Sequence, residues 1–288
     1  MKKTGAQVLC EGLIHHGVEK IFGIPGGAIL PLYGTLSEYP ELDHILVRHE
    51  QGASHAADGF SRITGKTGVC FATSGPGATN LITGMATAMM DSSPMIAITG
   101  QVSRPGIGKD SFQEIDITGA SLPVTKHNYL VMNADEIPRV LKEAFIIANT
   151  GRPGPVLIDI PRDVFTEEFD FDNKFWDEEI KILGYNPPKF ADNPKIDKAL
   201  KLIEESKKPV ILAGHGIIIS KAYEELLELA ESAQIPVITT LLGISSFPEN
   251  HVLSLSFPGM HGVAWASLAL DQADLVIAIG SRFDDRIT

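Results

Sequence analysis

The sequence has few cysteines, a deficit of positive charge and no long apolar run. Cys10 and Cys70 are its two cysteines and form no CxxC pair, which excludes a disulfide scaffold and a cysteine-based metal cluster. The 24 Lys and Arg residues are outnumbered by 36 Asp and Glu residues, and the net charge of −12 argues against nucleic-acid or anionic-membrane partners. No stretch approaches the ~20 apolar residues that cross a bilayer, and the N-terminus is a poor signal peptide. We therefore expect a cytoplasmic protein with reduced thiols.

Short apolar strands alternate with helices along most of the chain. In residues 1–163 this alternation predicts an α/β domain in which helices cover a parallel sheet. Residues 164–192 are acidic and aromatic, contain Pro187-Pro188 and sustain no period, which indicates a linker. A second α/β unit, residues 193–288, has three clear strands and resembles a truncated domain.

A carboxylate stands where the strand His44–Val47 gives way to a helix rich in glycine and alanine. In a parallel sheet the carboxyl ends of the strands form the ligand crevice, so Glu50 is a candidate for chemistry. The alternative is a helix-start residue, because acidic side chains favour the first turn of a helix. From this residue alone, the second interpretation is the stronger one.

Glycine-rich loops follow other strands of the same predicted sheet. Gly23–Gly27 and Ser74–Asn80 would meet Glu50 at one edge, which favours a site over unrelated turns. Gly214-His215-Gly216 is a partial dinucleotide-binding pattern in the second unit. Gly59 to Thr67 is rejected as a phosphate loop because its spacing is one residue too long and it precedes a strand.

Eight segments resemble the large catalytic subunit of acetolactate (acetohydroxyacid) synthase, a thiamine-diphosphate enzyme of branched-chain amino-acid biosynthesis. They run from one end of the chain to the other, and together they are far more specific than any one of them. The segments are Gly23–Ala28, Arg48–Ala53, Gly65–Gly68, Ala72–Asn80, Gly100–Val102, Phe112–Glu114, Gly151–Pro155 and Arg282–Arg286.

The resemblance implies a role for residues of the first domain in activating the cofactor. Glu50 would hydrogen-bond N1′ of the aminopyrimidine ring and favour the imino tautomer that deprotonates the thiazolium C2. Gln113 would act beside it, and the residues implied near the substrate are Arg286, Phe112 and Gly26. Without the family match, Phe112 and Gln113 are almost as well explained as part of a helix N-cap. The residues on the thiamine-diphosphate side are Glu50, Pro25, Gly26, Gly75, Gly77 and Asn80.

The resemblance also implies a middle domain that binds FAD without net redox chemistry, so the protein would be a flavoprotein. The residues implied near FAD are Arg152, Gly214, Gly216, Thr240, Leu241, Met260, His261, Gly280, Arg282 and Asp284. A solvated charge run is the plain alternative for Arg282–Arg286. Two positions depart from the family: Arg162 stands where lysine is common, and His215 replaces a usual glycine.

The predicted activity is that of a transferase of an acetaldehyde unit. It would condense two pyruvates to 2-acetolactate and CO2, or pyruvate with 2-ketobutyrate to 2-aceto-2-hydroxybutyrate, in valine, leucine and isoleucine biosynthesis. The family's diphosphate domain, with its Mg²⁺ ligands, has no counterpart here, so the chain is expected to be an N-terminal portion, inactive alone. A homodimer or larger homo-oligomer is implied, and a regulatory small subunit is a further candidate partner.

Two alternatives remain open. Another thiamine-diphosphate enzyme is one: Glu50 argues against a glyoxylate carboligase, which has an apolar residue there, and Arg282–Arg286 argues against a pyruvate oxidase. The other is a non-catalytic dinucleotide-binding or assembly fragment.

Overall fold

A computed structural model describes residues 1–188, 190–285 and 287. The chain forms two compact units, which meet in sequence between Pro188 and residue 189. The strands of the first unit are β1 (Lys2–Thr4), β2 (Lys20–Gly23), β3 (Asp43–Leu46), β4 (Gly68–Ala72), β5 (Met95–Gln101), β6 (His127–Leu130), β7 (Pro155–Pro161) and β8 (Glu168–Asp170). Its α-helices are α1 (Gly5–His15), α2 (Leu30–Leu36), α3 (Glu50–Thr64), α4 (Pro76–Asn80), α5 (Ile82–Asp91), α6 (Ile117–Ser121), α7 (Ile137–Asn149) and α8 (Arg162–Thr166).

Six of these strands form one sheet in the order β3-β2-β4-β5-β7-β6, and every neighbouring pair is parallel. All residues of β4, β5 and β7 are buried. Burial on both faces explains why these strands are continuous apolar runs rather than alternating ones. The predicted parallel sheet is confirmed.

Helices cover both faces of this sheet. One hydrophobic cluster contains residues of α1, α2 and α7, among them Leu13, Leu32 and Leu141. The other contains residues of α3 and α5, among them Ala57 and Met85. The apolar stripe of each helix is thus the face that packs on the sheet.

The strand β6 was not predicted, and it closes one edge of the sheet beside β7. Its residues are half-buried or exposed, so it lacks the buried apolar run by which the central strands were recognised.

Most of the segment interpreted as a linker, 164–192, packs within the first unit. Its strand β8 pairs with β1 in antiparallel fashion, and Trp176 is 6% exposed in the main core cluster. The buried Lys142 of α7 donates hydrogen bonds to the carbonyl oxygens of Phe175, Trp176 and Glu178. The sequence shows no period here because aromatic side chains and a lysine hold the segment, rather than regular secondary structure.

The second unit has a parallel three-stranded sheet in the order β10-β9-β11. Its elements are α9 (Asn193–Glu205), β9 (Pro209–Ala213), α10 (His215–Ser220), α11 (Tyr223–Ala233), β10 (Val237–Thr239), α12 (Ala264–Gln272) and β11 (Leu275–Ile279). The short helix α10 was not predicted. The other elements agree with the predicted α/β alternation to within one or two residues.

Candidate functional site

The strand order places a crevice at the carboxyl ends of β2 and β4. These strands are neighbours, yet the helix that follows β2 packs on one face of the sheet and α5, which follows β4, packs on the other. Such a point, where the connections diverge, is where open α/β sheets bind ligands. The predicted loops Gly23–Gly27 and Ser74–Asn80 both begin here.

Glu50 begins α3 beside this crevice. His49 is the N-cap residue, and its Nδ1 accepts a hydrogen bond from the Gln51 backbone N–H at 3.1 Å. The Glu50 carboxylate instead reaches across to the neighbouring loop, where Oε2 accepts a hydrogen bond from Asn80 Nδ2 at 2.9 Å. Within residues 1–188, Oε1 accepts no hydrogen bond. The helix-start explanation is therefore incomplete, because capping falls to His49 while Glu50 leaves one oxygen available to a ligand.

Glycines line the crevice, so that its wall consists of backbone atoms. A Cβ atom on Gly26 would lie 2.5 Å from the side chain of Thr73, and one on Gly77 would lie 2.8 Å from Thr73 and 3.3 Å from Glu50 Oε1. Thr73 links the two loops, since its Oγ1 accepts a hydrogen bond from the Ala28 N–H at 3.1 Å. Pro25 is exposed at the rim. The structure thus brings together Glu50, Gly26, Gly77 and Asn80, as predicted for one site.

Gln113 reaches the same place from the loop after β5. A Cβ on Gly75 would lie 2.6 Å from the Gln113 carbonyl oxygen, and Gly75 has φ +60°. Gln113 itself has φ +59°, a left-handed conformation that is uncommon for a residue with a side chain and is concentrated at functional sites. Phe112 is 88% exposed. The N-cap alternative for this pair is wrong, because the next helix begins at Ile117 with Asp116 as its cap.

A tyrosine–histidine pair that the sequence did not reveal lies near Glu50. The Tyr33 hydroxyl and His44 Nε2 are 3.1 Å apart. Burial raises the pKa of Tyr33, and the nearby charge of Glu50 raises it further. Burial lowers the pKa of His44. The two residues belong to different elements and match no motif, so no sequence signal pointed to their contact.

A buried carboxylate, also missed, lies within β7, two strands beyond β4 in the same sheet. Asp159 is 1% exposed, and its oxygens accept hydrogen bonds from Thr99 Oγ1 at 2.6 Å and Gln101 Nε2 at 2.8 Å. Burial raises the pKa of Asp159 to about 7, against the lowering effect of these two bonds. An aspartate inside an apolar strand was the available signal, because buried carboxylates are rare without a role or partners.

In the second unit, the three glycines predicted to lie near FAD, Gly214, Gly216 and Gly280, are packed on one another. A Cβ on Gly214 would lie 2.3 Å from the Gly280 carbonyl oxygen, and one on Gly216 would lie 2.6 Å from Gly280 Cα. The N–H groups of Gly214 and Gly216 donate to Ile279 and Gly280. These glycines are therefore explained by the close packing of two strand ends, and they do not by themselves indicate a flavin.

The other residues predicted near FAD are more scattered. Thr240 follows β10, and its N–H donates to Ala213 at 2.9 Å; Leu241 is exposed in the next turn. Met260 and His261 lie in an exposed turn before α12, and no hydrogen bond of the described part of this unit joins them to the glycines. Arg282 pairs with Asp284 at 3.3 Å. Arg286 lies outside the described residues.

Arg152, which belongs to the first unit, has a local role. Its guanidinium donates to the carbonyl oxygens of Met89 and Met90 and to Ser92 Oγ, each at 2.8 Å. It therefore satisfies the carbonyl groups at the end of α5, where a positive charge also interacts favourably with the helix dipole.

Among the described residues, no group of three or more His, Cys, Asp or Glu side chains could hold a metal ion. In the same part of the chain, no helix is long and apolar enough to cross a membrane. Cys10 and Cys70 are free and buried, and burial raises the pKa of each thiol to about 12.

Comparison with known families matches each of the two units to a known domain. Residues 3–120 match the N-terminal TPP-binding domain of thiamine pyrophosphate enzymes, and residues 196–288 match the central domain of the same enzymes. The chain therefore belongs to the thiamine pyrophosphate enzymes. This result confirms the predicted fold class, an α/β pyrimidine-binding domain followed by a Rossmann-like middle domain.

Within this class, the chain is similar along its whole length to acetolactate synthase large subunits. It is 53% identical over 287 residues to that of Corynebacterium glutamicum, a match that covers 100% of this chain and 45% of the relative. It is 54% identical over 284 residues to a probable acetolactate synthase large subunit of Methanocaldococcus jannaschii, covering 99% and 48%. The chain spans about half the length of the curated relatives it matches, and the predicted family is confirmed.

Proposed function

We propose that the crevice in the first unit binds the aminopyrimidine end of thiamine diphosphate, and that the protein acts as an acetolactate synthase large subunit. The observation that carries this proposal is the available Oε1 of Glu50 beside a wall of glycines. The glycines let the two loops pack closely on Thr73 beside Glu50, because a Cβ at Gly26 or Gly77 would collide with Thr73. The similarity to acetolactate synthases supports the choice among thiamine-dependent reactions.

Each residue around the crevice has a physical task in this proposal. Asn80 holds one oxygen of Glu50 at 2.9 Å and so directs the other toward the ligand. Glu50 Oε1 would hydrogen-bond the aminopyrimidine ring and hold a proton there, and partial burial would strengthen that hydrogen bond. Thiamine diphosphate, when bound, supplies the nucleophilic carbon and the electron sink for decarboxylation.

The substrates in this proposal are small 2-keto acids, namely pyruvate and 2-ketobutyrate. Gln113, placed against Gly75, donates a hydrogen bond to the reacting acids, and the exposed ring of Phe112 covers them. Arg286 holds the carboxylate of the second acid, since a guanidinium can offer two parallel hydrogen bonds.

The cofactors and partners beyond the first unit belong to the same proposal. FAD binds in the middle unit, although the packing of its glycines lends no separate support. Since no group of the described residues could hold a metal ion, the proposal places the Mg²⁺ ligands outside the described residues. The complete subunit is cytoplasmic, forms a homodimer or larger homo-oligomer, and is a candidate to bind a regulatory small subunit.

The two alternatives are disfavoured by specific observations. A glyoxylate carboligase has no need of a carboxylate at position 50, whereas here Asn80 holds that carboxylate in place. A non-catalytic fragment gives no reason for a left-handed Gln113 beside the same crevice. A pyruvate oxidase would form acetyl phosphate instead of acetolactate, so the reaction product distinguishes it from the proposed enzyme.

A chimeric enzyme tests the proposal. Residues 1–288 would replace the matching 45% of the Corynebacterium glutamicum subunit, and the purified chimera would receive pyruvate, thiamine diphosphate, Mg²⁺ and FAD. We expect acetolactate as the product, with the parent enzyme as positive control and no turnover by residues 1–288 alone. Acetyl phosphate or tartronate semialdehyde in place of acetolactate would refute the assignment.

A further inference from the structure

A single side chain joins the two ends of the loop that carries Phe112 and Gln113. The loop leaves β5 after Gln101 and returns to α6. The Gln101 side chain donates from Nε2 to the Ile115 carbonyl oxygen at 2.8 Å, and its Oε1 accepts a hydrogen bond from the Val102 N–H at 2.9 Å. Gln101 therefore closes the base of the loop, contacting its first residue and a residue near its end.

Asp159 holds the Gln101 amide in this orientation. Gln101 Nε2 donates to Asp159 Oδ2 as well as to Ile115, while Thr99 donates to the other carboxylate oxygen. The Ile115 carbonyl oxygen can only accept hydrogen bonds, as can the ionised form of the Asp159 carboxylate, so these two partners select the NH2 end of the Gln101 amide. If the amide rotated, its oxygen would face both Asp159 and the Ile115 carbonyl, which are acceptors.

The bonds inside the loop are short-range. Glu114 accepts hydrogen bonds from the Gly108 and Ser111 N–H groups, and Ser111 Oγ donates to Gly106. Such bonds keep the loop in one shape only while its ends stay together. If the ends separate, the loop gains conformational entropy, and this gain opposes the short-range bonds. Arg104 holds only the outgoing side of the loop, through Asp163, Glu167 and the Met132 carbonyl oxygen.

We propose that Gln101, anchored by Asp159, is a positioning residue that keeps the loop 102–116 closed so that Gln113 stays against Gly75. The proposal rests on the proposed function in one respect, the role of Gln113 at the reaction site. We call the closure of the loop base by Gln101 and Asp159 the clip, and it does not depend on the role of Gln113. Gln101 does not touch the crevice; it acts through the loop whose base it closes.

Hydrogen exchange on the 288-residue chain tests the clip without catalysis. The change Gln101→Glu places two acceptors opposite Asp159 and Ile115, so we expect exchange in peptides covering 102–116 to accelerate about tenfold. The double change Gln101→Glu with Asp159→Asn restores the buried pair, because the introduced amide can donate to the introduced carboxylate. It does not restore the side-chain hydrogen bond to the Ile115 carbonyl oxygen, which keeps only the backbone N–H of Ile117 as a donor. Thermal stability should recover in the double variant while loop exchange stays fast.

Two matched controls accompany these variants. Asp159→Asn alone should keep the loop protected, since the oxygen of the new amide can face Gln101 while its NH2 group faces the Thr99 hydroxyl. Asn128→Asp makes the same amide-to-carboxylate change at a side chain that donates to Thr118 of α6, outside the loop, and should leave exchange in 102–116 unchanged. If the double variant recovers loop protection together with stability, Gln101 is merely structural and the clip is refuted.

Kinetics of the chimera link the clip to catalysis. Both variants that carry the Gln101→Glu change should lose at least tenfold in kcat, with a smaller change in KM for pyruvate. Unchanged kcat despite fast loop exchange would refute the link to Gln113. Absence of acetolactate from the unmodified chimera would instead refute the proposed function, and the exchange result would still decide the clip.

Discussion

The buried carboxylate Asp159 makes the stability of the first unit depend on pH in a direction that can be stated in advance. Its pKa rises from 3.8 to about 7 because burial disfavours the charged form, and the nearby Asp116 contributes in the same direction. Asp116 is itself held ionised, since hydrogen bonds from Gly119 and Thr118 lower its pKa. The variant Asp159→Asn tests this pH dependence, because it keeps the shape of the side chain and removes the titrating carboxyl group.

The sign follows from proton binding. Between pH 3.8 and about 7 the folded state holds a proton on Asp159 that the unfolded state has released, so raising the pH through this window lowers the free energy of unfolding. The stabilisation that comes from protonated Asp159 is complete below the pKa of this residue in the unfolded chain, 3.8. It is lost once the pH passes about 7, the pKa in the folded protein. The full pKa difference corresponds to about 4 kcal/mol, of which about 3 kcal/mol falls between pH 5 and pH 8.

Urea unfolding followed by tryptophan fluorescence provides the assay. The chain has two tryptophans: Trp176, 6% exposed in the first unit, and Trp265, 60% exposed in the second. In a Trp265→Phe background the signal reports the first unit alone. Other titrating groups are common to both proteins and cancel when the variant is subtracted.

The expected result is that the free energy of unfolding of the parent, minus that of Asp159→Asn, falls by about 3 kcal/mol from pH 5 to pH 8. A difference that is constant across this range would mean that Asp159 titrates at an ordinary pKa in the folded protein. A difference that rises would mean that the carboxylate is stabilised in its charged form, and the desolvation argument would be wrong.

Three further predictions concern single positions. In the chimera, Glu50→Gln should reduce acetolactate formation by about 10²–10⁴-fold, the range for loss of a proton-transfer group; an unchanged rate would remove Glu50 from the mechanism. Gly75→Ala should lower the free energy of unfolding by about 1–3 kcal/mol, because its φ is +60° and the new Cβ would lie 2.6 Å from the Gln113 carbonyl oxygen. The control Gly27→Ala, where a Cβ meets nothing within 4 Å, should change it by less than about 0.5 kcal/mol, and equal effects in urea unfolding would contradict the steric argument. Lys142→Met should destabilise the first unit by roughly 2–4 kcal/mol, because three carbonyl oxygens, of which that of Trp176 is buried, lose the hydrogen bond from Lys142. It should also shift the tryptophan emission to the red. A neutral result would show that this lysine does not hold the segment after β8.

Local chemistry explains which elements could be predicted. Strands β4, β5 and β7 are buried on both faces, and glycines or a proline mark their ends, so apolar runs and turn residues located them within two residues. The strand β6 and the segment 164–188 escaped prediction. Their stability comes from contacts with residues distant in sequence, such as those of Lys142, and not from any local period.

The features of the candidate site also fall into those that the sequence revealed and those that only the structure revealed. The residue types at the strand ends, Glu50 and the glycines, were visible in the sequence, and motif resemblance assigned them to one family. The partners that give each a geometry were not visible: Asn80 lies 30 positions from Glu50, and Asp159 lies 58 positions from Gln101. The N-cap interpretation of Phe112 and Gln113 failed because helix start signals recur in loops, where only the surrounding fold selects one of them.

By itself, the sequence determined the α/β alternation, the glycine loops and the membership in thiamine pyrophosphate enzymes, since each depends on residue types at short spacings. Only the tertiary structure decided which oxygen of Glu50 is held by Asn80, that Gln101 bonds to both ends of the loop carrying Gln113, and that Asp159 is buried deeply enough to titrate near neutral pH. Orientation and burial arise from packing between distant segments, and a linear pattern of residue types does not contain them.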